Sequence, residues 1–158
     1  MTTKHLNVLL ILFFQLVSLT AFSQKKAELN SLLDKNTEFI FPQTVDKISK
    51  ALNTKTINYS DANDEQYAKW LPKSGLEVFC SLGNENIVNE IFFGIPEDKF
   101  LVVEGLPFNL SLNKTTLQES KTKFKKYNPE IEDIGDDSSF SGGSRLTFKK
   151  GERYTTLL

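Results

Sequence analysis

The stretch GLPFNLSLNKTTLQES, residues 105–120, runs from an apolar extended segment into a polar helix led by threonine. Thr116 followed by Glu119 has the spacing of a capping box, in which hydroxyl and carboxylate each satisfy a backbone N–H left unpaired at a helix start. Leu117 and Phe124, seven residues apart, share one face of the helix that follows. Lys121, Lys123, Lys125 and Lys126 suit the negative end of its dipole, and Tyr127-Asn128-Pro129 stops it. Upstream of the cap, Phe108, Leu110 and Leu112 alternate as a strand does.

The same order occurs earlier, in TEFIFPQTVDKISKAL at residues 37–52. TEFIF reads as a strand ended by Pro42, and Val45, Ile48 and Leu52 then fall on one helical face that stops at Asn53. Thr44-Val45 aligns with Thr116-Leu117, and Leu52 with Phe124, a period of 72 residues. Gly75 and the strand ending at Phe79 align less tightly with Gly143 and the strand ending at Phe148. Two readings stay open: tandem helix-plus-meander repeats over 37–103 and 104–158, or two α+β halves alike by chance.

Between and beyond these helices the chain reads as short strands. QKKAELNSLLDKN, with Leu29, Leu32 and Leu33, predicts a short amphipathic helix, and residues 53–65 a polar loop. QYAKWL, LEVFCSL, IVNEIFF, KFLVV and LPFNLSL are read as strands punctuated by PKSG, GNEN and Gly94/Pro96. EIEDIGDDSSFSGG reads as a loop before a terminal hairpin of SRLTF and RYTTLL. The expected fold class is α+β, with helices packed on one face of an antiparallel sheet in a single domain, 24–158.

Residues 1–23 carry the secretory signal pattern: Lys4, the apolar stretch 6–20, and small Ala21 and Ser23 before an expected cut between Ser23 and Gln24. Asn7 and Gln15 interrupt the apolar stretch, so a retained membrane span is disfavoured. The expected location is periplasmic or secreted. Without Lys4 the chain holds 18 basic against 20 acidic groups, a balance that gives no footprint for nucleic acid or an anionic membrane.

Rare residues narrow the chemistry. The only histidine, His5, lies in the signal segment, so triads, His-based metal sites and the commonest general base are missing from the mature chain. Cys80 is the only cysteine and alternates with Leu76, Val78 and Leu82, which reads as a buried structural thiol rather than a nucleophile. Asp61, Asn63 and Glu65 begin like a calcium loop, but Gln66 and Pro72 occupy the places of its glycine and glutamate. Asp133, Asp136 and Asp137 near SGG read as balancing the lysines before them rather than as an oxygen-only divalent-ion site. No catalytic residue, metal site or cofactor is expected. Trp70, Phe92, Phe93 and Phe108 are the candidate binding residues, since aromatic side chains anchor interfaces. If helices cover one sheet face, the other exposes Phe92 or Phe93; the other reading is that the leading helix and the loops cover both faces.

A helix and a three-strand meander used twice after an export signal resembles the β-lactamase-inhibitor-protein-like and BamE-like modules of bacterial envelopes. VVEGLPFNLSLNKTTLQESKTKF, with its Asn128-Pro129 stop, is also similar to a strand-helix pattern in small bacterial proteins, some of them immunity proteins. The chain lacks a lipid-bearing cysteine at the cleavage point and a Leu-Gly-x-Pro stop. The resemblance implies a non-catalytic module that binds a protein. The readings carried forward are an exported protein-binding module, an immunity-type inhibitor of a toxin or enzyme, a small carboxylate-based envelope hydrolase, and a carrier of an apolar ligand.

Overall fold

A computed structural model describes residues 24–83, 86–96, 99–136 and 140–158. The expected signal segment, 1–23, lies outside the described residues, as does Asp137. The chain divides into two compact units, Met1–Asn113 and Lys114–Leu158. The expected repeat boundary at 103/104 falls inside a strand of the first unit.

The first unit opens with β1 (Gln24–Lys26), and a two-residue strand β2 (Gln43–Thr44) leads into α1 (Val45–Leu52). β3 (Ile57–Ser60), β4 (Gln66–Trp70) and β5 (Glu77–Ser81) follow, then β6 (Ile87–Val88), β7 (Phe92–Gly94), β8 (Val102–Leu106) and β9 (Leu110–Leu112). They form three sheets: β1-β8-β9 with a parallel β1/β8 pair, the two-stranded β2-β6, and the antiparallel β3-β4-β5-β7. The mixed helix-and-sheet architecture agrees with the expected α+β class.

Local chemistry explains α1. The Thr44 hydroxyl accepts the Lys47 N–H at 3.3 Å, Asp46 sits in the positive first turn, and Asn53 ends the helix in the left-handed region. Ile48 and Leu52 are buried, and the indole N–H of Trp70 on β4 donates to Ser49 Oγ at 2.9 Å and Thr56 Oγ1 at 3.0 Å. Those bonds tie β4 to the helix and to the residue just before β3. Gly75, at φ 81°, closes the turn before β5 through its N–H to the Pro72 carbonyl, and a Cβ there would collide with Leu101.

The second unit is α2 (Leu117–Phe124) followed by β10 (Glu130–Asp133), β11 (Ser144–Lys150) and β12 (Arg153–Leu157), an antiparallel meander with β11 in the centre. The capping box forms in full: Thr116 N–H donates to the Glu119 carboxylate at 2.8 Å, and Glu119 N–H to the Thr116 hydroxyl at 3.2 Å. Phe124 stacks on Phe148 of β11 at 4.2 Å, and Tyr127 on Phe148 at 5.3 Å. Leu146 and Ile134 complete the buried apolar set of this unit.

The Thr116 hydrogen bonds hold the Glu119 carboxyl below the usual glutamate range, the backbone N–H first and the hydroxyl second. A carboxyl whose folded pKa is lowered stabilises the fold above its unfolded value, about 4.5, and loses that contribution as pH falls through the folded one. Thermal melts are therefore expected to steepen in their loss of stability below about pH 4.5. Glu119→Gln, which keeps the box but not the charge, is expected to flatten that acid limb. An unchanged limb would remove the carboxylate from the account.

Several expectations are corrected. QKKAELNSLLDKN forms no α-helix: its first residues pair in parallel with β8, Ala27 N–H donates to Glu104 O at 2.7 Å, and only a 3-10 turn follows at Asn30–Leu32. Leu29 and Leu32 are buried all the same. TEFIF contributes one isolated bridge, Leu33 with Phe39, before a cis Phe41–Pro42 bond. IVNEIFF splits into β6 and β7, which join different sheets. Phe108 does not alternate in a strand but sits at φ 60° in the 3-10 turn Pro107–Asn109. Residues 53–65 and 130–143, read as loops, contain β3 and β10. Both are strands of four exposed residues, so burial imposes no apolar alternation on either.

Candidate functional site

The sheet β3-β4-β5-β7 has two unlike faces. Ala68, Trp70, Val78 and Cys80 point to one and are fully buried. Cross-strand pairing sets the other: Ile57 opposite Lys69, Tyr59 opposite Tyr67, Lys69 opposite Phe79, and Phe79 opposite Phe92. Tyr59 stacks on Tyr67 at 5.3 Å and Phe79 on Phe92 at 4.8 Å. Ile57 remains 47% exposed, Tyr59 37% and Phe92 39%. Scattered apolar residues are ordinary at a surface, but here two aromatic stacks and an isoleucine share one sheet face.

Polar groups thread between the rings. Lys69 pairs with Glu77 and stands 5.6 Å from the centre of the Tyr59 ring. The Tyr67 hydroxyl donates to the Glu65 carboxylate at 2.9 Å. That bond, followed by desolvation and the negative charge of Glu65, raises the Tyr67 pKa to about 12, so the phenol stays protonated at neutral pH. Such a face offers rings, one ion pair and the Tyr59 hydroxyl for recognition.

The four sequence candidates separate in space. Phe92 lies on the open face. Phe93 points to the opposite side, beside Phe39 at 6.1 Å, with Phe39 in turn 4.7 Å from Phe41. Trp70 is fully buried and serves as a packing anchor between β4 and α1, so it presents no ring to a partner. Phe108 is half-buried, and its N–H donates to Thr37 O at 2.7 Å. Ile57, Tyr59, Tyr67 and Phe79 were not singled out by sequence. Alternation of Ile57 with Tyr59 and of Tyr67 with Lys69 was the available signal, hidden by the polar neighbours of β3.

Other groups have structural duties. Asp61 Oδ1 accepts the N–H groups of Asn63 and Glu65 at 2.8 and 3.0 Å, so the calcium-like segment is a turn built by its aspartate. Asp133 and Asp136 accept hydroxyl hydrogen bonds from Ser144 and Ser141. Burial pushes the Cys80 thiol up to about 11, which suits an inert core residue. Among the described residues, no group of three or more His, Cys, Asp or Glu is gathered to hold a metal. Among them, too, no helix is long and apolar enough to cross a membrane.

A second feature lies beside α1. An open cleft of about 400 Å³ is lined by Ser31, Leu32, Ile40, Gln43, Lys47, Lys50 and Ala51. Gln43 is only 5% exposed; its Nε2 donates to Ile40 O at 2.7 Å, and its Oε1 has no hydrogen-bond partner among the described residues. A buried acceptor left unmatched costs about 1–3 kcal/mol.

Searches of protein-family models, curated proteins and solved structures found no match for the chain.

Proposed function

We propose that the protein is an exported, non-enzymatic module that binds a protein partner across the open face of β3-β4-β5-β7. The observation that carries this reading is the row of Ile57, Tyr59, Tyr67, Phe79 and Phe92 on one face, with the other face packed by Trp70 and Val78. In this reading α1 covers one face and the partner the other. An extended face of rings suits a complementary protein surface with an apolar centre and a polar rim, because such anchors work when neighbouring contacts exclude water. A toxin or enzyme as partner would make the module an immunity-type inhibitor, as the resemblance to small envelope modules implies.

Export, with cleavage between Ser23 and Gln24, rests on the signal pattern of residues 1–23. Both eight-residue helices have a threonine N-cap and precede a left-handed asparagine and an exposed edge strand, which supports descent from one duplicated unit. Under that descent β11 corresponds to β4, the second strand of the meander, rather than to β5 as the glycine alignment had it.

The test is capture from envelope extract under mild crosslinking, comparing the parent with a Tyr59→Asp/Phe92→Asp double variant. A stoichiometric protein recovered by the parent and lost by the variant, with circular dichroism unchanged, is the expected result. Equal recovery by both, or none by either, would sink the binding reading. Export is checked separately by intact mass: a chain starting at Gln24 is expected, and a retained Met1 would refute cleavage.

A further inference from the structure

We propose that β3 is a dimer edge: it pairs antiparallel with β3 of a second copy of this chain, about a two-fold axis through Asn58, and joins the two sheets into one. β3 is the outermost strand of β3-β4-β5-β7 and has β4 as its neighbour. Hydrogen bonds beside it show which way its backbone faces. Asp61 N–H donates to Glu65 O at 3.0 Å, and Gln66 O on β4 accepts the Leu82 N–H, from the β5 side, at 2.8 Å. These directions alternate along an antiparallel ladder, so Ile57 and Tyr59 turn their N–H and C=O groups to β4. Asn58 and Ser60 turn theirs to the free edge. Folded proteins blunt such edges with charge, proline or a bulge. Ile57–Ser60 has none of these and keeps an unbroken register with β4, whereas the edge strand β10 carries Glu130, Glu132 and Asp133.

The sequence around Asn58 is complementary to itself. Reversed about that residue, Ile57 opposes Tyr59 of the second copy, Thr56 opposes Ser60, and Lys55 opposes Asp61. Lys55, Ile57, Tyr59 and Asp61 alternate along the chain on the side of the aromatic face. Apolar therefore meets apolar at the centre, and a cation meets an anion at each end. Lys55 is exposed and has no ion-pair partner among the described residues. Asp61 gives Oδ1 to its own turn, accepting the Asn63 and Glu65 N–H groups, which leaves Oδ2 for the lysine of the second copy. A slip of two residues in either direction separates Lys55 from Asp61, so the charges fix the register. The two-fold axis closes the assembly at two chains, because each copy's β3 is consumed by the other. A ladder this short predicts a reversible dimer rather than a permanent one. The rings of both copies then lie on one continuous face, yet the pairing needs no partner docked there, so either proposal can fail without the other.

The test is sedimentation velocity of the purified protein across a range of concentrations. A monomer–dimer equilibrium is expected for the parent. Asn58→Pro removes an outward N–H that β4 does not use, so circular dichroism is expected to stay native while the dimer dissociation constant rises about tenfold or more. Lys55→Asp, which sets like charges at both ends of the ladder, is expected to weaken the dimer about tenfold. Under oxidation, Asn58→Cys is expected to form a disulfide-linked dimer, since directly opposed residues with Cα atoms about 5.5 Å apart lie within disulfide reach. Ser60→Cys, opposed by Thr56, is expected to stay uncrosslinked, which reads the register. Cys80 is buried and does not compete. A monomer at every concentration overturns the proposal and leaves the edge to a strand of another protein. Parental dimerisation by the Asn58→Pro and Lys55→Asp variants, or crosslinking of Ser60→Cys in place of Asn58→Cys, overturns it as well.

Discussion

Replacing Trp70 with alanine is expected to destabilise the protein by about 3–5 kcal/mol, the range for deleting a large buried aromatic side chain. The ring is fully buried on the inner face of β4 and is the largest of the fully buried side chains. Truncation also strands two hydroxyls: Ser49 Oγ and Thr56 Oγ1 lose the indole donor and keep only each other, 2.6 Å apart. Trp70→Phe separates the two effects, because it keeps most of the packing and removes the N–H. That variant is expected to cost about 1–3 kcal/mol. Urea unfolding followed by circular dichroism measures both. A loss below about 1 kcal/mol for Trp70→Ala would mean the ring is not the anchor described.

Phe124→Ala is expected to have a comparable intrinsic cost, about 3–5 kcal/mol, with a larger structural consequence. The second unit buries few apolar side chains: Phe124, Phe148, Leu146 and Ile134. Phe124 is the one through which α2 stacks on β11. Small units have little stability in reserve, since a short chain buries a smaller share of its surface. The expected result is loss of amide protection across α2 and β10–β12 in hydrogen exchange, while the β4 and β5 amides of the first unit keep theirs. Protection persisting in α2 would show that the capping box and its lysines hold the helix without the aromatic stack.

Local chemistry was the most readable part of the sequence. The Thr116 capping box, the two helices and the stops at Asn53 and Asn128 follow from interactions within a few residues, and each forms. LEVFCSL was equally plain, because one buried face enforces strict alternation through Val78 and Cys80. The leading segment was misread because Leu29, Leu32 and Leu33 have helical spacing, while its strand state depends on β8, far along the chain. Nothing local encodes that pairing. β3 and β10 were missed because their residues are exposed and carry no burial pattern.

The candidate site was partly readable for the same reasons. The adjacent phenylalanines of β7 had to point to opposite sides, and Phe92 does face outward. Trp70 misled because a tryptophan is valued at interfaces and in cores alike, and only the positions of Ser49 and Thr56 decide between them. The cleft at Gln43 gave no sequence signal. Its members come from a 3-10 turn, the irregular segment at Ile40, a two-residue strand and α1, and they meet only after folding.

The parallel pairing of β1 with β8 also governs the order in which the first unit can be completed. A chain is made from its N-terminus, so the segment Gln24–Lys26 exists long before Val102–Glu104, its partner in the ladder. The α1/β4 anchor and the hairpin turns close over short separations and are available first, whereas this ladder waits for nearly the whole unit to be synthesised. Until then the backbone groups of β1 remain an unpaired strand edge, the kind of surface on which growing chains misassociate. The first described strand of the unit is thus among its last to be secured.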